Sequence, residues 1–149
     1  MDIAFTTKSQ DAIGASVRIA SAQGNPAVEP LHLLDSLLQQ GPGIATALLE
    51  HLGVDLPALM ASVRAQMQAL PSASGSTVAA AQLSQLTYKV LSESDALAKE
   101  RGDELVSTEH LLIALAQSGG GEVEKTLSPL GATGAALLQA LQEKKGAHA

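Results

Sequence analysis

Cysteine and tryptophan are absent from these 149 residues, and Phe5 and Tyr88 are the whole aromatic complement. No disulfide can frame the fold. The core has to be built from Leu, Ala, Val and Ile at helical spacing, whose burial must supply the hydrophobic driving force. Basic residues are also scarce: nine Lys and Arg against fifteen Asp and Glu leave a net charge of −6. Phosphate backbones are held by clustered cations that release counterions, so this composition argues against nucleic acid as a partner. No apolar run approaches the length of a membrane span, and Met1-Asp2-Ile3-Ala4-Phe5 has neither the basic start nor the apolar run of an export signal. A cytoplasmic location without membrane contact is expected. A chain of this length suits one domain that buries roughly 70% of the surface its unfolded form exposes.

What the sequence does contain is a copy of itself. A gapless shift of 78 residues lays Val28-Glu29-Pro30-Leu31-His32-Leu33-Leu34 on Val106-Ser107-Thr108-Glu109-His110-Leu111-Leu112. The same shift pairs Gly24 with Gly102, Leu37 with Leu115, Gly43 with Gly121, and Leu52-Gly53 with Leu130-Gly131. That period is too long for a solenoid unit. The expected fold is all-α: two tandem pseudo-twofold four-helix repeats, about eight helices, packed face to face with one groove between them.

Apolar spacing and punctuation place the helices. Ala12, Ile13, Ile19 and Ala20 keep helical period after Phe5, and Gly24 ends that run. Pro30 suits the first turn of a second helix striped with Leu33, Leu34, Leu37 and Leu38, which stops at Gly41-Pro42-Gly43. A short third helix carries Ile44, Leu48, Leu49 and Leu52, and Asp55 caps a fourth bearing Leu59, Val63 and Met67. The second copy repeats the plan from Ser84 onward, with Ser107 and Thr108 opening its second helix and Gly119-Gly120-Gly121, Gly131 and Gly134 punctuating the rest. Repeat one is placed at about 5–71, a Ser/Ala/Gly surface linker at about 72–81, repeat two at about 82–143, and a frayed tail at 144–149. Nothing alternates as a strand should.

Chemistry-bearing patterns are few. His32 and His110 occupy matched positions, but neither has a His or carboxylate at the i+4 spacing of a helical zinc site, so a buried or capping histidine in each copy is the reading and no metal is expected. Gly119-Gly120-Gly121-Glu122-Val123-Glu124-Lys125-Thr126 resembles a phosphate loop, yet Glu124 stands where glycine must precede the lysine, and no strand leads in. No Ser/His/Asp set or carboxylate pair with an assignable acid and base is apparent, so no catalytic residue is assigned.

The pairing of Glu29-Pro30-Leu31-His32-Leu33-Leu34 with Ser107-Thr108-Glu109-His110-Leu111-Leu112, each copy preceded by a helix-ending glycine, resembles the duplicated N-terminal domain of the Clp AAA+ unfoldases over nearly the whole chain. Within that family the first copy's Glu29-to-Leu34 wording, the Ala69-Leu70-Pro71 step into the linker, and Arg101-Gly102-Asp103 are most similar to the ClpB disaggregase type. Relatives that feed a protease usually have Gly-Thr-Glu-His in both copies; here Thr108-Glu109-His110 keeps part of that pattern.

The resemblance implies a domain at the entrance of a hexameric ring, binding unfolded or aggregated polypeptide in a shallow groove and passing it to the ring. ATP and magnesium then belong to two downstream ATPase modules. This chain alone is expected to be a monomer without enzymatic activity or cofactor, with a co-chaperone system or adaptor as a further partner. The resemblance also implies polypeptide contacts at Thr6, Asp103 and Glu109. Read without it, Glu109 complements a helix dipole and Asp103 is a solvated loop acid. Leu97 and Val90, seven apart on one helix face, could floor the groove, although core packing is the commoner use of such a stripe, and Glu93 and His110 add polarity there. One alternative keeps the fold and makes the chain an adaptor- or phosphoarginine-binding domain of a proteolytic ClpC/ClpA-type unfoldase, with Glu29 and Glu109 as guanidinium acceptors. These acids do not align, since Glu29 falls on Ser107 and Leu31 on Glu109. A stand-alone helical interaction protein is a further alternative.

Overall fold

The computed structural model describes residues 3–72 and 81–146. Two helices of 16 residues, Thr7–Ala22 (α1) and Gln85–Glu100 (α5), are displaced by the 78 residues of the sequence repeat at both ends. Each starts behind a hydroxyl cap: Thr6 Oγ1 accepts the Ser9 N–H and Ser84 Oγ accepts the Thr87 N–H, both at 3.1 Å. Such caps satisfy amides that have no partner within the helix. Each helix ends before a glycine in the left-handed region, Gly24 at φ 73° and Gly102 at φ 77°, where a Cβ would be strained.

The remaining elements follow the same register. Pro30–Gln39 (α2) matches Thr108–Ser118 (α6), and Leu56–Gln68 (α4) matches Gly134–Gly146 (α8). Asp55 caps α4 through the Ala58 N–H, and Thr133 caps α8 through the Ala136 N–H. Ile44–His51 (α3) and Gly120–Leu127 (α7) are the least alike. Gln40 to Gly43 separate α2 from α3, whereas Gly119 alone separates α6 from α7, and a 3-10 turn, Ser128–Leu130, follows α7.

The all-α expectation holds, and within it lie two very short strand pairings. Ala27–Val28 (β1) and Gln82–Leu83 (β2) form a parallel pair, and Phe5 bridges Val106 in the same sense. Two-residue segments are too short to show alternation, so periodicity could not reveal them. The two bridges are counterparts under the 78-residue shift, since Val28↔Leu83 maps onto Val106↔Phe5. Each repeat thus lends the segment before its first helix to the loop before the other repeat's second helix. Thr6 N–H donates to the Val106 carbonyl at 3.0 Å, and Ser84 N–H to the Val28 carbonyl at 3.1 Å.

The same exchange governs packing. α3 lies against α6 and α8, while α7 lies against α2 and α4. Residues 30–38 of α2 and 108–115 of α6 are all buried, and one continuous apolar core joins both repeats. Burying each of its Leu side chains contributes roughly 1.5–3 kcal/mol relative to leaving it in water. Most of the expected linker lies outside the described residues, but Ala81 at its end is buried, with its N–H on the Ser21 hydroxyl at 3.0 Å. Lys144 belongs to α8, and residues 147–149 of the expected tail lie outside the described residues. Among the described residues no single helix is long and apolar enough to cross a membrane.

Candidate functional site

The histidines define the starts of the two central helices. His32 Nδ1 accepts the Glu29 N–H at 2.8 Å, and His110 Nδ1 accepts the Ser107 N–H at 2.9 Å. Each imidazole fills the role a Glu or Gln plays in a capping box, reaching back to an amide that the helix leaves orphaned. Because Nδ1 accepts, Nε2 carries the proton and donates. His32 Nε2–H donates to Asn25 Oδ1 and His110 Nε2–H to Asp103 Oδ2, both at 2.9 Å. Both ring nitrogens are thereby used for structure, and among the described residues no group of three or more His, Asp and Glu could hold a metal. Burial of the imidazole holds the His32 pKa below its ordinary value, while the charges of Glu29 and Asp35 pull it upward.

Asp103 therefore has a definite fold role besides any contact it makes with a partner. It sits where repeat one has Asn25, which also donates Nδ2–H to the Pro71 carbonyl at 2.8 Å. Asn25 is buried, whereas the Asp103 side chain keeps 30% of its surface open. The signal for this pairing was available in the sequence, since residues 25 and 103 follow the paired glycines and precede the paired histidines by seven.

The Phe5–Val106 bridge ties Thr6 to the segment that carries Asp103 and Glu109. The Thr6 N–H is tied to the Val106 carbonyl, Asp103 precedes that residue by three, and Glu109 follows it by three. Glu109 is folded inward: it is 8% exposed and accepts the Ser107 hydroxyl, at the first turn of α6 where its charge complements the helix dipole. Leu97, at 8%, and Val90, at 0%, lie in the core, and Glu93 is exposed. The accessible part of the expected site is thus Thr6 and Asp103, with Leu105 beside them as an exposed apolar side chain.

Sequence reasoning passed over a second feature. A cavity of about 110 Å³ opens between the repeats, with Pro30, Leu31, Leu70, Leu86 and Val123 as its apolar lining and Glu29 and Glu122 at its edge. It occupies the pseudo-twofold counterpart of the α6 start. Where Leu31, Leu86 and Val123 stand here, the shift places Glu109, Lys8 and Ala45 on the other side. The sequence carried no distinguishing signal for the cavity, since the two copies differ at most positions under the shift.

Comparison with known proteins places these features in context. A family model described as the Clp repeat (R) N-terminal domain matches residues 4–130. The chaperone protein ClpB of Propionibacterium freudenreichii subsp. shermanii is 41% identical over 142 residues, 95% of this chain and 16% of that protein. The chain thus spans about a sixth of the length of this relative. A crystal structure of the Hsp104 N-terminal domain from Candida albicans superposes with a TM-score of 0.81 at 18% identity, covering 96% of this chain and 92% of that one. A ClpV N-domain in complex with a VipB peptide superposes with a TM-score of 0.62 at 18% identity, covering 75% of this chain and 67% of that one.

Proposed function

The chain belongs to the Clp repeat N-terminal domain family, and from that membership we propose that it binds unfolded client polypeptide for a ClpB-type ATP-driven disaggregase. The observation that carries this reading is the exchanged backbone bridge at Phe5 and Val106, which ties Thr6 to the segment that carries Asp103. There a half-exposed carboxylate, a threonine and the exposed Leu105 offer an acidic, partly apolar rim. Such a rim suits an extended segment carrying basic and hydrophobic groups, with charge setting orientation and on-rate more than affinity. A ClpV N-domain, which shares the fold, forms a complex with a VipB peptide, so the architecture can present a peptide-binding surface.

ATP and magnesium act in ATPase modules downstream, which form a hexameric ring to which this domain hands its client. The domain itself works as a monomer, and a co-chaperone system or adaptor shares the task. The guanidinium-acceptor alternative is less well supported, because its two acids are not counterparts: the shift sets Glu29 on Ser107 and Glu109 on the buried Leu31.

Titration of the domain with casein, an unfolded and apolar-rich polypeptide, followed residue by residue by NMR, tests the reading. Saturable shifts are expected at Thr6, Asp103 and Leu105. Shifts restricted to residues 140–149 would remove it. A calorimetric titration with phosphoarginine separates the alternative, which requires measurable heat.

A further inference from the structure

The cavity between the repeats has the chemistry of a side-chain socket. Its lining from Pro30, Leu31, Leu70, Leu86 and Val123 is aliphatic, drawn from α2, α5, α7 and the end of repeat one. An apolar cavity of about 150 Å³ in a protein core stays dry and takes a benzene ring; at about 110 Å³ this one suits a branched aliphatic group better than an aromatic one. It is open to solvent on the side of Gly121, Glu122 and Leu86, the last of these 36% exposed. Two carboxylates, Glu29 and Glu122, stand at the edge of an otherwise greasy hole in a chain of net charge −6. An occupant that brings positive charge beside its apolar group is therefore favoured, and one that brings negative charge is repelled.

The internal repeat supplies an independent argument. The 78-residue shift turns Leu31, Leu86 and Val123 into Glu109, Lys8 and Ala45. The scaffold thus accepts charged and smaller residues at all three positions, so the fold alone does not demand aliphatics at the cavity. At these three lining positions the cavity side is the more apolar of the two, whereas its Glu29 and Glu122 stand against Ser107 and Ile44. Leu86 in particular stays partly in water, where a core role would have buried it.

We propose that this cavity holds a Leu, Ile or Val side chain of an extended client segment that carries Lys or Arg immediately beside it. The proposal rests on the client-binding reading and adds to the rim at Thr6 and Asp103 a second contact point of different chemistry on the other side of the pseudo-twofold.

The test uses this chain and a capped peptide, Gly-Gly-Lys-Leu-Arg-Gly-Gly, with methyl and amide NMR as the readout. Saturable shifts are expected at Leu31, Leu70, Leu86 and Val123. Changing the peptide leucine to serine should weaken binding by about tenfold, from the lost apolar burial. Two variants of the protein close the socket by different routes. Leu86→Lys installs what repeat one carries as Lys8, so the fold has precedent for it, and Gly121→Leu adds a side chain where a new Cβ meets no atom within 4 Å. Each should cut peptide affinity about tenfold while leaving the casein-induced shifts at Thr6 and Asp103 in place. If both variants bind the peptide like the parent, or if the peptide leaves the four lining residues unmoved, the socket is refuted. When casein still moves Thr6 and Asp103 in that event, the socket alone is lost; when it moves neither, the client-binding reading is lost as well.

Discussion

In repeat one, the histidine that starts the central helix hydrogen-bonds a buried asparagine; in repeat two, its counterpart bonds a half-exposed aspartate, at the same 2.9 Å. Around these pairs the halves agree closely. The hydroxyl caps at Thr6 and Ser84, the exchanged bridges at Val106 and Val28, and the left-handed Gly24 and Gly102 are counterparts residue for residue. The halves part at the start of the central helices, where Glu109 faces Leu31 across the pseudo-twofold, and at positions 8 and 86 and 45 and 123. What is shared is what orphaned amides and a common core require, and what differs includes buried positions, such as Leu31 against Glu109 and Val123 against Ala45. Duplication kept the caps, bridges and glycine stops twice and left both interior and surface positions to diverge.

The strongest way to break this comparison is through the core. Leu34 and Leu112 are counterparts, both buried in the one core cluster. Truncation of either to alanine should cost about 3 kcal/mol, from lost burial and the cavity left behind. Because the cluster crosses both repeats, each variant should still unfold in one urea transition with its midpoint shifted by a similar amount. Two separated transitions would show that the repeats fold as independent units.

Exchange of the histidine partners gives the next largest effect. Burial holds His32 below its ordinary pKa, so the folded state takes up a proton less readily than the unfolded chain. This contribution to stability is intact above the unfolded value near 6.5 and is lost as the pH falls below it toward the folded value. Asn25→Asp installs the acceptor of repeat two. The new carboxylate favours the imidazolium, so the loss of stability on acidification should shrink. At neutral pH the variant should be less stable by about 1–2 kcal/mol, because the Asn25 bond to the Pro71 carbonyl is gone. Urea titrations above and below the histidine range check both signs, and an unchanged acid loss would contradict the assignment.

The helix caps probe where the halves should be indistinguishable. Thr6→Ala and Ser84→Ala each remove one hydroxyl that accepts an amide at 3.1 Å, and each should cost about 1 kcal/mol. A much larger loss at Ser84 would point to Thr87, whose hydroxyl donates to the Val28 carbonyl at 2.7 Å and shares the same cap. For binding, the pair should diverge: Thr6→Ala weakens the casein-induced shifts, and Ser84→Ala leaves them.

The helices were legible in the sequence because their signals are local and repeated: caps, glycine stops and aliphatic stripes recur 78 residues apart. The bridges that exchange segments between the repeats were not, since two paired residues carry no periodicity and the partner is remote in the chain. The candidate site was legible only through the resemblance. The resemblance drew attention to Thr6, Asp103 and Glu109, and the Phe5–Val106 bridge ties the first to the segment that carries the other two, but no pattern distinguishes a carboxylate turned inward onto Ser107 from one facing solvent. Asp35 carries the same lesson. Its carboxylate is buried on α2 with Gln39 and, at 3.6 Å, Arg64 beside it, while its counterpart is Ile113. A helix face that accepts isoleucine in one copy and an acid in the other shows that the second partner, not the stripe, decides what can be buried.

The smallest effect concerns a contact with no counterpart. His51 Nε2 lies 3.1 Å from Glu143 Oε2, joining α3 of repeat one to α8 of repeat two, with both side chains about half exposed. The shift would place the matching pair at Pro129 and Ala65, which cannot form it. An ion pair in solvent gains little Coulomb energy after screening and must hold two flexible side chains in place. His51→Ala should therefore cost less than about 0.5 kcal/mol, a difference that added salt abolishes. A double-mutant cycle with Glu143→Ala measures the coupling directly. A coupling several times larger would mean that this one-sided strut helps to fix how the repeats dock. The exchanged bridges would then not suffice to set the angle between the two halves, and the matched geometry of their two ends would depend on a contact that only one end possesses.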